Sequence, residues 1–118
     1  MRLQLNRPIE TIIGARVSDG KFLMYVAEQM IELMEPYVPF DSGKLCESAV
    51  AEVKNGRPCV RYDAPYAAKV YEGDGLNFKR EKHPLACSRW DSAMFAAKKE
   101  ELYRRIRRAY EGGKRLAR

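Results

Sequence analysis

The sequence holds very few of the side chains that metal and redox sites need. His83 is the single histidine among 118 residues, and the three cysteines (Cys46, Cys59 and Cys87) form no Cys-x-x-Cys pair. Structural zinc sites take four such ligands at short spacing, whereas an odd number of scattered cysteines is typical of reduced thiols in a cytosol. We therefore expect free thiols, no metal and no cofactor.

Catalytic motifs are equally scarce. Gly73 and Gly75 form a Gly-x-Gly pair, but a phosphate-binding loop needs a third glycine between a strand and a helix. The residue types of a hydrolase triad are present as Asp41, Ser42 and His83, but no Gly-x-Ser-x-Gly motif accompanies them, so we do not expect a triad. The sequence therefore predicts a protein that is not an enzyme.

Long hydrophobic runs are also missing. No apolar run approaches the roughly 18 residues that cross a bilayer, and the N-terminal MRLQLNRP lacks the hydrophobic segment of a signal peptide. We expect neither a membrane partner nor export. With 46% hydrophobic and 32% charged residues, the composition fits one globular domain over residues 1–118, with a flexible basic tail from about residue 112.

Positive charge is present in excess, and it is concentrated near the C-terminus. The net charge is +6, and residues 98–118 contribute nine basic and three acidic side chains, so the preceding residues are neutral overall. The candidate basic surface consists of Arg104, Arg105, Arg107 and Arg108. One functional alternative is therefore a small DNA- or RNA-binding regulatory protein, although no helix-turn-helix spacing or RNP-like motif supports it.

The sharpest local signal is a β-hairpin. Asn55-Gly56 is a preferred pair for a two-residue turn with two positive φ angles. This turn sets a register in which one face of the ribbon is apolar and the other largely polar. The expected apolar pairs are Val53 with Pro58, Ala51 with Val60, and Ala49 with Tyr62. Because Pro58 has no N–H, its strand is expected at a sheet edge or with its N–H side facing outward.

Helices are predicted on both sides of the hairpin. Residues 21–35 carry a core stripe that Pro36 and Pro39 end, while residues 8–35 form either one helix or two separated near Gly14 and Gly20. A short strand is expected at residues 2–5, and residues 83–87 are extended enough for another. A last helix should run from about 89 to 110, ended by Gly112-Gly113. The predicted fold is α+β, a small antiparallel sheet built on the central hairpin and packed against long N-terminal and C-terminal helices.

The last helix carries two apolar clusters rotated by roughly 130° on a helical wheel with 100° per residue. Trp90, Ala93, Met94 and Ala97 form the first, which we assign to the core with Trp90 as its anchor. The second supplies the candidate oligomer interface, because arginines surround it like the rim of an interface. The cluster consists of Phe95, Leu102, Ile106, Ala109 and Tyr110, and the candidate interface consists of the four larger residues Phe95, Leu102, Ile106 and Tyr110. The alternative is that the first helix covers this cluster within a monomer.

The order of these features resembles a known family. The segments YVPFDSGKL (37–45), APYA (64–67), VYEG (70–73) and HPLA (83–86) come in this order, followed by Trp90 and a long helix. This set is similar to the small minor capsid, or neck and tail-completion, proteins of long-tailed bacteriophages. Their members typically combine a Tyr-x-Pro-x-(Asp, Thr or Ser)-Gly-x-Leu segment with a Pro-Tyr-Ala helix that ends near glycine.

The resemblance implies a structural virion protein at the head–tail junction, assembled in the host cytoplasm. From the resemblance we also expect a ring of copies, contacts with other junction proteins, and a contact with DNA. The family's motif residues imply fold determinants and not a binding site. Together with the turn and core residues found above, the candidate fold-determining set is Tyr37, Pro39, Asp41, Gly43, Leu45, Asn55, Gly56, Pro65, Tyr66, Gly73 and Trp90.

Overall fold

Helices and a small antiparallel sheet make up the fold of residues 1–40, 42–73, 78 and 80–116, which the computed structural model describes. The α+β prediction is confirmed. The elements are β1 (Arg2–Gln4), α1 (Ile9–Ile13), α2 (Gly20–Met34), a 3₁₀ turn (Glu35–Tyr37), α3 (Lys44–Glu47), β2 (Ala49–Lys54), β3 (Arg57–Tyr62), α4 (Ala67–Glu72) and α5 (Trp90–Leu116).

The N-terminal region forms two helices, which decides the question left open by the sequence. Gly14 follows α1 with a φ of 72°, a left-handed conformation that glycine adopts without a steric penalty. Asp19 then caps α2, because its carboxylate accepts a hydrogen bond from the backbone N–H of Lys21 at 3.0 Å. The two helices are therefore separated by a stop signal and a start signal.

The hairpin register is confirmed along its whole length. Asn55 and Gly56 have φ angles of 53° and 72°, as this turn requires, and Ala51 lies opposite Val60. β1 pairs with the other side of β3, so the sheet order is β1-β3-β2, with all pairs antiparallel.

The prediction of an edge position for the strand of Pro58 is wrong, because β3 is the central strand. The second possibility holds. Val53 and Pro58 are a non-hydrogen-bonded pair of the hairpin, so the nitrogen of Pro58 faces away from β2. β1 ends at Gln4, opposite Cys59, and so does not reach the proline. The missing N–H therefore interrupts no ladder.

The core lies between the inner face of the sheet and the helices. α2 packs over β2 and β3, and α5 packs against α2 and α1. Val60 and Tyr62 of β3 are buried on this face, together with Val26 and Met30 of α2. The apolar face of the hairpin thus packs against the apolar stripe of α2, so the sheet is covered on one side.

The outer face of the sheet carries a ladder of ion pairs. Glu52 accepts from Arg2 at 2.5 Å and from Arg61 at 2.7 Å, and Arg61 also contacts Asp63 at 2.6 Å. The hydrogen bond from Arg2 is the main cause that lowers the pKa of Glu52. Beneath these long side chains Cys59 is fully buried, although its position in β3 directs it outward.

Two boundary predictions near the C-terminal helix are wrong. Residues 83–87 form no strand: Ala86 donates to the carbonyl of His83 at 3.0 Å in a turn, and Cys87 makes a single backbone bond to Tyr37. α5 also continues through Gly112 and Gly113 to Leu116. Neither glycine adopts the positive φ that ends a helix in the left-handed conformation.

The register makes a prediction about two valines in the same sheet. Val60 is fully buried, whereas Val50 lies on the outer face, 36% exposed and opposite Arg61. Val60→Asp should lower the free energy of unfolding by at least about 3 kcal/mol, because it buries an unpaired charge. The matched change Val50→Asp should cost less than about 1 kcal/mol. Urea denaturation followed by circular dichroism measures both, and equal losses would show that the two faces are assigned wrongly.

Candidate interaction surfaces

The motif stretch is organised around Trp90, the first residue of α5. Its indole is fully buried and packs edge-to-face against Tyr62 of β3 and Tyr71 of α4, with ring centroids 5.3 and 5.1 Å apart. Tyr71 also donates its hydroxyl hydrogen bond to Asp91 at 2.7 Å. Burial, followed by this hydrogen bond, raises the pKa of Tyr71 to about 12. Trp90 is therefore the predicted core anchor, and it joins three elements.

Both motif glycines occupy positions that other residues fit poorly. Gly43 has a φ of 86°, and a Cβ there would lie 3.0 Å from the ring of Phe40. Gly73 has a φ of 72°, and a Cβ there would lie 2.4 Å from the Cβ of Ser88. The second distance is shorter than non-bonded carbon atoms approach each other in proteins. The absence of a side chain at Gly73 therefore lets the end of α4 approach the start of α5.

The remaining motif residues divide into buried and exposed groups. Tyr37 and Leu45 are buried, and Lys98 lies over the ring of Tyr37 at 5.5 Å. Pro39 is half-buried, Asn55 and Gly56 lie exposed at the hairpin tip, and Pro65 is exposed before α4. Tyr66 is 42% exposed, and so it does not act as core packing. Asp41 lies outside the described residues.

His83 and Cys46 are neighbours, but they do not form a nucleophilic pair. The Nδ1 atom of His83 donates to the carbonyl of Val38 at 2.7 Å and lies 4.0 Å from the Cys46 sulfur. A carbonyl only accepts, so the Nδ1 atom carries a proton and its hydrogen bond is already used. Burial is the main cause that raises the pKa of the Cys46 thiol to about 11, so it stays protonated at neutral pH.

The predicted oligomer interface is wrong for its two central residues. Leu102 and Ile106 are fully buried within the single chain, where α5 packs against α2. Tyr110 packs edge-to-face on Phe22 of α2 at 6.1 Å, and Phe95 is half-buried against the core. The alternative in which the N-terminal helical region covers this cluster is therefore what the structure shows.

A break in α5 is the reason. Lys98 has non-helical angles, φ −134° and ψ 17°, so the first cluster and Phe95 lie in one helical segment, and the rest of the second cluster lies in another. A helical wheel drawn through residue 98 as one continuous helix separates Trp90 and Met94 from Leu102 and Ile106, although all four are buried in one core. The assignment of Ala97 to the core is wrong, because its side chain is exposed. Neither proline nor glycine marks this position, so the wheel gave no sign of the break.

The candidate basic surface is less free than the sequence implies. Arg105 bonds Glu101 at 3.0 Å and Gln29 at 2.8 Å, and it lies 3.2 Å from Glu32, so it ties α5 to α2. Arg104 also pairs with Glu101, and Arg107 donates to the carbonyl of Ile12 at 3.2 Å. Arg104, Arg107 and Arg108 remain exposed, beside Glu100 and Glu101. The spacing of Glu101 and Arg105 by four residues could have predicted their pairing.

Comparison with known families decides what kind of protein this is. The family model described as "Minor capsid protein" matches residues 2–112, nearly the whole chain. The chain belongs to this family. No curated protein and no solved structure matches it significantly. It is therefore a structural protein of a bacteriophage, associated with the virion, and the resemblance found in the sequence is confirmed at the level of the family.

The described surface of this minor capsid protein carries a few exposed apolar side chains. Among the described residues, no three His, Cys, Asp or Glu side chains are grouped so that they could hold a metal ion. No helix in the described part of the chain is long and apolar enough to cross a membrane. Among the described side chains, the exposed large apolar ones are Val50, Tyr66 and Leu85, of which Leu85 is 54% exposed.

The two left-handed glycines at helix ends provide a matched test of the motif. Gly14 and Gly73 have the same φ of 72°, but only Gly73 has an atom within 4 Å of the missing Cβ. Gly14→Ala should cost about 1–2 kcal/mol of unfolding free energy from the backbone alone. Gly73→Ala should cost about 1–3 kcal/mol more, because the Ser88 segment must move. Thermal and urea denaturation measure both, and equal costs would mean that this close approach does not constrain the fold.

Proposed function

We propose that this minor capsid protein acts at the head–tail junction of a tailed phage, where it completes the neck to which the tail attaches. The observation that carries the proposal is the family match over residues 2–112. The ordered motif set supports the finer location, because the neck and tail-completion proteins of long-tailed phages share it. Its partners in this role are further copies of itself, arranged as a ring, and other junction proteins.

The packing of the motif residues fits a structural role. Tyr37, Leu45 and Trp90 are buried in the core of the chain, and Gly73 allows a close approach of the backbone to Ser88. Tyr66 and Leu85 are exposed, so they are available to neighbours in the particle. A protein of this kind contributes shape and contacts and needs no chemistry of its own.

The experiment is a phage carrying a stop codon early in this gene. We expect infected cells to accumulate DNA-filled heads and separate complete tails, because attachment is the step that fails. Electron microscopy of the lysate counts these particles, and adding the purified protein should restore joined virions. Tailed particles formed without the protein would contradict a role in joining. Normal heads without assembled tails would instead place the protein in the tail.

A contact with DNA is a second candidate role, supported by the exposed Arg104, Arg107 and Arg108 on one side of α5. The neighbouring Glu100 and Glu101 oppose it, so the expected binding is weak and independent of sequence.

This role is tested by fluorescence anisotropy with a 20-base-pair duplex. Arg107→Gln with Arg108→Gln should weaken binding and reduce the slope of log affinity against log salt by about 1–2, because each phosphate contact contributes about 0.9. Lys54→Gln, an exposed charge on the hairpin, is the control and should change neither. An unchanged slope in the double variant would remove DNA from the proposal.

A further inference from the structure

β2 is an edge strand with one free side. It pairs with β3 on one side, and no described strand lies on its other side. Ser48 bonds Asp63 through the backbone at 3.2 Å, and in an antiparallel ladder every second residue repeats this inward orientation. Val50, Glu52 and Lys54 therefore turn their backbone groups toward β3. Ala49, Ala51 and Val53 direct three N–H and three C=O groups outward.

The side chains at this edge are also incompletely covered. Ala49, Ala51 and Val53 face the helices, but each is only partly buried. Their partners on β3, namely Tyr62, Val60 and Pro58, are all buried. The core is thus closed over the central strand and open beside β2, where one more strand would cover the apolar side chains.

Several of the usual protective devices are absent from this edge, although Glu52 and Lys54 place two charged side chains on it. β2 contains no proline, its pairing with β3 runs without a bulge, and it is six residues long. The opposite edge differs, because β1 has only three residues and turns the backbone groups of just Arg2 and Gln4 outward. Among the three described strands, β2 is the one whose unpaired edge matches this edge in length and hydrogen-bonding pattern, so β2 of another copy is a suitable partner.

We propose that in the free protein the open edge of β2 pairs antiparallel with β2 of a second copy, which joins two sheets into one of six strands. With Ala51 opposite Ala51 of the second copy, Ala49 meets Val53, and all six outward groups on each strand are used. Val50 then lies opposite Glu52, whose carboxylate Arg2 and Arg61 already hold. A shift of two residues toward the hairpin tip would place Glu52 opposite Glu52, an unfavourable like-charge pair.

This pairing is two-fold, so it closes after two copies and does not by itself generate a ring. It rests on the edge of β2 alone and not on a role at the head–tail junction. A ring in the virion would need a different contact, and the two ideas succeed or fail in separate experiments.

Amide hydrogen exchange of the full chain, resolved by NMR, measures directly whether the outward N–H groups of β2 are hydrogen-bonded. At millimolar concentration the amides of Ala49, Ala51 and Val53 should be protected, and dilution should remove their protection. The amides of Val50, Glu52 and Lys54 should stay protected at both concentrations, because β3 holds them. If the first three exchange freely at millimolar concentration, the proposal is wrong.

Two cysteine variants test the register. Oxidised Ala51→Cys should give a dimer linked through residue 51, since directly opposed Cα atoms lie within reach of a disulfide. Lys54→Cys is the matched control on the same strand. Its two copies would be six positions apart, about 20 Å, and should not link. Mass spectrometry identifies the linked residues, and equal linking by both variants would contradict the register.

Ala51→Pro removes one outward N–H and leaves the ladder to β3 in place. Sedimentation should then show a monomer with a melting temperature close to that of the parent at low concentration. A folded variant that still forms the dimer would overturn the proposal. If the variant does not fold, the exchange pattern and the cysteine pair still decide.

Discussion

The burial of Trp90 is the constraint on which the rest of the fold depends. Removing an aromatic side chain of this size from water contributes about 4–6 kcal/mol, from roughly 150–250 Å² of buried area. Its indole N–H has no hydrogen-bond partner among the described residues, which costs about 1–3 kcal/mol. The apolar gain is the larger quantity. The indole therefore stays inside, and the sheet, α4 and α5 must all lie where its ring meets Tyr62 and Tyr71.

This packing explains the unusual backbone on either side of it. The chain enters α5 through Arg89, which has a φ of 48° although it is not glycine. Its side chain is held by Glu72 at 2.7 Å and lies over the ring of Tyr71. Gly73 leaves the room that Ser88 needs beside it. The strain of the left-handed arginine, of order 1 kcal/mol, is smaller than the apolar gain that the position of Trp90 secures.

The parts of the fold that could be predicted are those fixed by neighbouring residues. Asn55-Gly56 and the alternation around it determined the register of β2 and β3, and Asp19 marked the start of α2. The break at Lys98 could not be predicted, because neither proline nor glycine marks it in the sequence. The oligomer interface was assigned wrongly for this reason. The central position of β3 was also not predicted, because the short strand at residues 2–5 was expected from the sequence but its pairing with β3 was not.

The charge distribution suggests how copies of this protein can meet without precipitating. On the outer sheet face, Arg2, Glu52, Arg61 and Asp63 neutralise one another, and exposed pairs of this kind contribute little to binding. Stacking two such faces would remove charged side chains from water, which opposes binding, and would add little favourable binding free energy. The backbone groups at the β2 edge differ, because they are directional and neutral and sit beside partly covered apolar side chains. This difference supports the proposed pairing of two copies through the edge of the sheet, as opposed to stacking of their outer faces.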